Sequence, residues 1–97
     1  MPDQRGSSLR KDTPATRRRS HFVYIVRCAD GTLYTGVARD PQARADIHNS
    51  GRGARYTSGR RPVTLVYLEE WRTIGDALRR EVELKRLSRQ QKEALIS

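Results

Sequence analysis

The chain has 97 residues, a single cysteine and a formal net charge of +9, with a sequence pI ≈ 10.8. Its length allows one domain with a small core; the lone Cys28 excludes an internal disulfide, and two histidines exclude zinc-finger spacing. No run approaches the ~18 apolar residues of a membrane span and the N-terminus lacks an apolar signal core, so the expectation is a cytoplasmic protein with a polyanionic partner, nucleic acid first.

Residues 1–20, MPDQRGSSLRKDTPATRRRS, show no apolar periodicity and hold six basic residues against two acids. That composition predicts a disordered basic tail, either an electrostatic aid in holding nucleic acid or an inert extension. The folded part, 21–97, opens with FVYIVRC (22–28), a strand by its β-branched and aromatic content. Asp30-Gly31 signals a hairpin turn, and TLYTGVA (32–38) is the returning strand. Asp40 as N-cap with Pro41 at the first helical position starts a helix that runs to about Asn49, with Gly51 as its stop. A polar, basic, Gly-rich loop covers 50–62.

VTLVYLEE (63–70) is a third strand, apolar enough to suggest cover on both faces. Thr73 with Asp76 is spaced as a capping box, opening a helix whose apolar side is Ile74, Ala77, Leu78, Val82, Leu84 and Leu87. Ser88 with Gln91 opens a last short helix. The order β-β-α-β-α-α predicts an α+β domain, a small, mainly antiparallel three-stranded sheet flanked by three helices.

Several residues suit chemistry. Arg44 and His48 are four apart on the first helix, beside an apolar stripe of Ala43 and Ile47. They read as a cation and an imidazole aimed at one phosphate, or as a solvated basic face; spacing alone favours the latter. Glu81 and Lys85 form either a surface ion pair or, through Glu81, a one-carboxylate Mg²⁺ site. Glu83 is as visible in sequence but lies about 200° round the helix from Glu81. In the loop, Arg52, Arg55, Arg60 and Arg61 with Tyr56 and three glycines read as an anion-binding, base-stacking surface or as a flexible connection. Cys28 reads as a small buried hydrophobe and Trp71 as packing.

The spacing Tyr24, Tyr34-x-Gly36, Arg44, His48 and a distant helical Glu81 resembles the GIY-YIG endonuclease superfamily. GRGARYTSGRRPVTLVY and ALRREVELKRLSRQQKEAL are similar to its small UPF0213 (YhbQ-like) group. The resemblance implies a catalytic set of Tyr24, Tyr34, Arg44, His48 and Glu81, with Glu81 holding Mg²⁺ or Mn²⁺ and Arg44 on the phosphoryl oxygens. One tyrosine takes a proton from water and the other orients it, with His48 a competitor for the base. Positive charge from Arg44, Lys85 and the metal is expected to lower a phenol pKa from ~10. DNA is the expected substrate ahead of RNA, in repair or processing. The alternatives are a module that binds nucleic acid without cutting it, and a subunit that a larger repair protein directs.

Overall fold

The computed structural model describes residues 20–97. Residues 1–19, where the sequence places nearly all of the basic tail, lie outside the described residues. Ser20 is buried and donates a hydrogen bond to the Glu70 carboxylate. The strands are β1 (His21–Arg27), β2 (Leu33–Ala38) and β3 (Thr64–Trp71). The helices are α1 (Pro41–Asn49), the single turn α2 (Arg55–Ser58), α3 (Ile74–Lys85) and α4 (Arg89–Ile96). The α+β expectation holds, with one more helix than expected: α2 forms inside the segment read as a loop. Among the described residues, no helix is long and apolar enough to cross a membrane.

The sheet order is β2-β1-β3, and both pairings are antiparallel. Asp30 shapes the hairpin turn by accepting from the Thr32 amide and hydroxyl, while Gly31 takes φ 87°, where a side chain would be strained. The register sets Tyr24 opposite Gly36 and Val26 opposite Tyr34. Both tyrosines therefore share one face of the sheet, a point the sequence leaves open because the turn breaks the count.

Cover on both faces belongs to β1, not to β3. β1 is the central strand, with Val23, Tyr24, Ile25 and Val26 all at most 1% exposed. β3 is an edge strand, so its apolar run is only half covered, and Leu68 remains exposed. A bulge between Ile25 and Val26 shifts the β3 register, pairing Tyr67 with Ile25 and Leu65 with Val26. Two cores result, one on each face of the sheet. Tyr24, Val26, Cys28, Ala38 and Val63 pack together, with Tyr34 and Leu65 against them. Val23, Ala77 and Leu84 form the other, with Val37, Tyr67, Trp71, Leu87 and Leu95. Cys28 and Trp71 thus pack as the sequence implies.

The caps form where expected. Asp40 accepts from the Ala43 amide, and Ser88 and Gln91 complete a reciprocal capping box. Thr73 accepts from the Asp76 amide, but Asp76 turns its carboxylate to Arg79, so that box is half made. Two predicted apolar faces are corrected. On α3, Ala77 and Leu84 are buried, whereas Ile74, Leu78 and Val82 are exposed. On α1, Ala43 and Ile47 point outward, and Pro41, Ala45 and His48 are the buried side. In both helices the sheet selects a narrower stripe than the apolar residues would cover.

Ionic contacts fix the helices to the sheet. Arg80 of α3 donates to Glu69 of β3 at 2.9–3.1 Å, and Glu69 also accepts from Trp71 Nε1 at 3.0 Å and from the Tyr67 hydroxyl. Burial pushes the Glu69 carboxyl up, but the hydrogen bonds from Arg80, Tyr67 and Trp71 outweigh it and hold the pKa below the carboxylate range. Arg27 of β1 grips Glu93 of α4 in a two-pronged pair at 2.7 and 2.8 Å.

Among the described residues, Thr35 Oγ1 is a buried side-chain oxygen without a hydrogen-bond partner. Thr35→Val removes that group and keeps the shape, so it should stabilise the fold by about 1 kcal/mol. The check is the urea midpoint, which should rise with an unchanged slope. Arg80→Ala leaves Glu69 without its cation and should destabilise by about 1–3 kcal/mol in the same assay.

Candidate functional site

The face that carries both tyrosines is closed by α1 and α2. Tyr24 is 1% exposed, and its ring lies directly over Gly36. A Cβ at Gly36 would stand 2.5 Å from the phenol oxygen and 2.6 Å from Cζ, so the strand opposite Tyr24 must present no side chain there. The phenol oxygen meets His48 Nε2 at 3.0 Å. His48 is 2% exposed, which rules out the solvated basic face for this residue. Arg44, one turn earlier on α1, is exposed and reaches the same phenol by charge and hydrogen bonding.

The segment between α1 and β3 wraps the imidazole. His48 Nδ1 lies 2.8 Å from the Thr57 hydroxyl and 3.4 Å from the Ala54 amide. Gly53 lies so close that a Cβ there would stand 2.3 Å from Nδ1. Gly53 and Thr57 were visible in the sequence only as parts of a polar loop. The signal for Thr57 is its position in the one helical turn, and nothing local marks it as wholly buried.

Tyr34 stands edge-on to His48, with ring centroids 5.3 Å apart, and stacks on Tyr56 at 5.8 Å. The Arg60 guanidinium covers Tyr56 at 4.1 Å from its centroid and is held by Asp30 and the Tyr56 carbonyl. Two phenols and a guanidinium thus form a stack whose inner ring, Tyr34, meets the imidazole edge-on. Glu81 of α3 also acts on the Tyr24 phenol by its charge. Its own partner is Lys85 at 3.3 Å, with the Lys85 side chain half exposed and that of Glu81 19% exposed.

Tyr24, Tyr34, His48 and Tyr56 are therefore brought into contact, and the charges of Arg44 and Glu81 act on the Tyr24 phenol. Arg52 and Arg55 are exposed on the segment beside them. Arg61 is not part of the cluster. It folds back onto the Ser58 and Asn49 carbonyls, in a shallow depression of ≈ 500 Å³ that holds none of those six side chains. Glu83 pairs with Arg80 at 3.1 Å, away from the phenols.

The expected lowering of a phenol pKa counts on a metal ion; the protein's own groups act in the opposite direction on Tyr24. Burial, then the neighbouring Tyr34, push the Tyr24 phenol up to about 12, and the pull of Arg44 does not overcome them. Burial, then the charge of Arg44, hold the His48 imidazole below its ordinary 6.5. The ligand-free site thus holds a protonated phenol and a neutral imidazole at neutral pH. Among the described residues, Glu81 is the acid that acts on the phenol, and they contain no cluster of three metal-ligating side chains. A single, partly exposed carboxylate suits a hydrated Mg²⁺ or Mn²⁺ that completes its shell with phosphate oxygens.

Comparisons with known proteins give the family and the fold. The GIY-YIG catalytic domain profile matches residues 20–94. A UPF0213 protein of Staphylococcus aureus strain Mu3 is 58% identical over 77 residues, which span 79% of this chain and 94% of the relative. The solution structure of UPF0213 protein BH0048 from Bacillus halodurans is similar, with 45% identity and a TM-score of 0.52 over 79% of this chain and 82% of that one. Protein EF2693 of E. faecalis has 38% identity and a TM-score of 0.54, covering 78% and 82%.

Gly36→Ala should push the Tyr24 ring off β2, break the bond to His48 and cost on the order of 1–3 kcal/mol. Nuclear magnetic resonance of the two rings together with a melting curve checks this. The imidazole of His48 should titrate with a midpoint below 6.5. Because the folded state favours the neutral ring, its contribution to stability is complete above pH 6.5 and is lost as pH falls through the lower folded value. Unfolding free energies measured between pH 8 and about 5 would show that loss.

Proposed function

Because the chain belongs to the GIY-YIG catalytic domain family, in its UPF0213 group, we propose that it is a metal-dependent endonuclease that hydrolyses phosphodiester bonds in DNA, branched or single-stranded, in repair or processing. The carrying observation is the buried hydrogen bond between the Tyr24 hydroxyl and His48, on a phenol that also feels Tyr34, Arg44 and Glu81.

Tyr24 is the base in this reading. As the phenolate it takes a proton from water, and the hydroxide attacks phosphorus. One P–O ester bond breaks, and the leaving oxygen takes a proton from solvent. Tyr24 then returns its own proton to solvent. Arg44 holds the phosphoryl oxygens as charge builds on them. Tyr34, standing against His48, orients the water. Glu81 is the group that would hold Mg²⁺ or Mn²⁺, which when bound supplies Lewis-acid polarisation of the phosphate and stabilises the leaving oxygen. Lys85 would leave Glu81 for the substrate backbone, with Arg52 and Arg55 along the approach. Tyr56 with Arg60 stacked on it forms the flank of that approach.

The net charge of +9 favours a second reading, in which the same surface holds nucleic acid without cutting it. The two separate on Glu81: binding without turnover needs neither that carboxylate nor a metal.

With Mg²⁺ or Mn²⁺, the wild type should nick flap, junction or single-stranded DNA, and Arg44→Ala and Glu81→Ala should each lower the rate by 10²-fold or more with the fold intact. Equal trace cleavage by all three proteins would identify a contaminant. Strong binding with no turnover on any substrate would establish the second reading. Since phenolate is the reactive form and the phenol sits at about 12, the rate should climb with pH through the neutral and mildly alkaline range. Tyr24→Phe should remove both the slope and roughly 10²–10⁴-fold of the rate.

A further inference from the structure

A column of planar groups leads away from the buried Tyr24–His48 pair and ends at the surface. Tyr34 stands edge-on to His48 at 5.3 Å, Tyr56 stacks on Tyr34 at 5.8 Å, and the Arg60 guanidinium lies 4.1 Å from the Tyr56 centroid. The outer end is open to solvent: Tyr56 is 40% exposed and the Arg60 side chain 38%.

An exposed arginine ordinarily keeps its rotamer freedom, which costs free energy to give up. Arg60 is instead held from three sides. Its Nε donates to Asp30 Oδ2 at 3.0 Å, its Nη1 donates to the Tyr56 carbonyl at 2.7 Å, and its own backbone carbonyl accepts the Ala29 amide at 2.9 Å. Asp30 is fixed in turn, because its other oxygen accepts from the Thr32 amide and hydroxyl. The turn of the tyrosine-bearing hairpin thus holds the guanidinium over the Tyr56 ring. A phenol ring with a delocalised cation on it is a surface on which a nucleobase stacks. Among the described residues, Arg60 Nη2 makes no hydrogen bond, so it can meet a phosphate of the same strand.

We propose that the outer end of the Tyr34–Tyr56–Arg60 column is a subsite for an unpaired nucleobase, set apart along the strand from the phosphate that meets Tyr24 and Arg44. The subsite rests on the nuclease reading for the place of that phosphate, and it narrows the substrate class to nucleic acid with a single-stranded stretch beside the cut. Only a base with a free face can join the column. Inside a duplex both faces are covered by neighbours in the stack, and freeing one carries the cost of unstacking. Duplex is therefore left with phosphate contacts alone, from Arg52, Arg55 and their neighbours.

The test measures affinity by fluorescence anisotropy, without divalent metal so that nothing is cut. Three probes are used: a short labelled single strand of DNA, the same strand made abasic throughout, and a long duplex. The wild type should bind the abasic strand roughly 5- to 100-fold more weakly than the intact one. Tyr56→Leu should remove most of that difference and leave duplex affinity unchanged, whereas Tyr56→Trp should keep the difference. Stacking releases no counterions, so the ratio of intact to abasic affinity should be the same at low and high salt while every affinity falls as salt rises. A wild type that binds the intact and abasic strands equally overturns the proposal, and this comparison needs no variant to fold. So does a base-dependent difference that survives in Tyr56→Leu, or a loss in that variant as large on duplex as on single strand. With metal restored, base-dependent binding and no cutting would end the nuclease reading and leave the subsite standing. Cutting of single strand and duplex alike, with no base dependence in binding, would end the subsite and leave the nuclease.

Discussion

The bond between the Tyr24 hydroxyl and His48 Nε2 is the contact around which this small domain is arranged. It joins the central strand to the first helix at a point where both side chains are almost wholly buried. A polar bond in such a place is costly to leave half made, because each partner would lose water and gain nothing. The chain therefore closes around it from two directions. Gly36 clears a bed for the phenol on one side, and Gly53 admits the backbone to the imidazole on the other. Both glycines matter for the side chain they lack, which is why neither can be replaced without moving a member of the pair.

The second constraint is that β1 works on both faces at once. Tyr24 and Val26 face the site, whereas Val23 packs under Ala77 and Leu84 of α3. The helix that brings Glu81 to the phenol is thus seated by the same strand that carries the phenol. Arg80, next to Glu81, locks that helix to Glu69 on β3. Position at the site is in this way inherited from packing on the opposite face of the sheet, and a disturbance of the α3 core carries over to the carboxylate.

Much of this is legible in the sequence because it is local. Asp30-Gly31 gives the hairpin, Asp40-Pro41 and Ser88 with Gln91 give helix starts, and the pattern of Tyr24, Tyr34, Arg44, His48 and Glu81 carries the family resemblance. What escapes is what depends on partners far along the chain. The apolar run of β3 looks as buried as that of β1, yet only sheet order decides which strand is central. Ile74, Leu78 and Val82 look like the core side of α3, but the sheet accepts only Ala77 and Leu84. The pull of Arg44 on a phenol is readable from charge, whereas the larger opposing effect of burial requires the fold. Arg61 looks like its neighbouring arginines, yet it bonds the Ser58 and Asn49 carbonyls while Arg60 covers Tyr56.

The clasp of α4 on the hairpin has a kinetic side. Arg27 and Glu93 are 66 positions apart, and Arg89 reaches back 58 positions to the Gly31 carbonyl. Closing so long a loop carries a large entropic barrier before any contact returns free energy. The tyrosine-bearing hairpin is made early in synthesis, yet it is secured only after residues 89–93 have left the ribosome. Until then the turn lacks the two arginine contacts that hold it to α4. The last helix of the described chain thus completes the hairpin near its start.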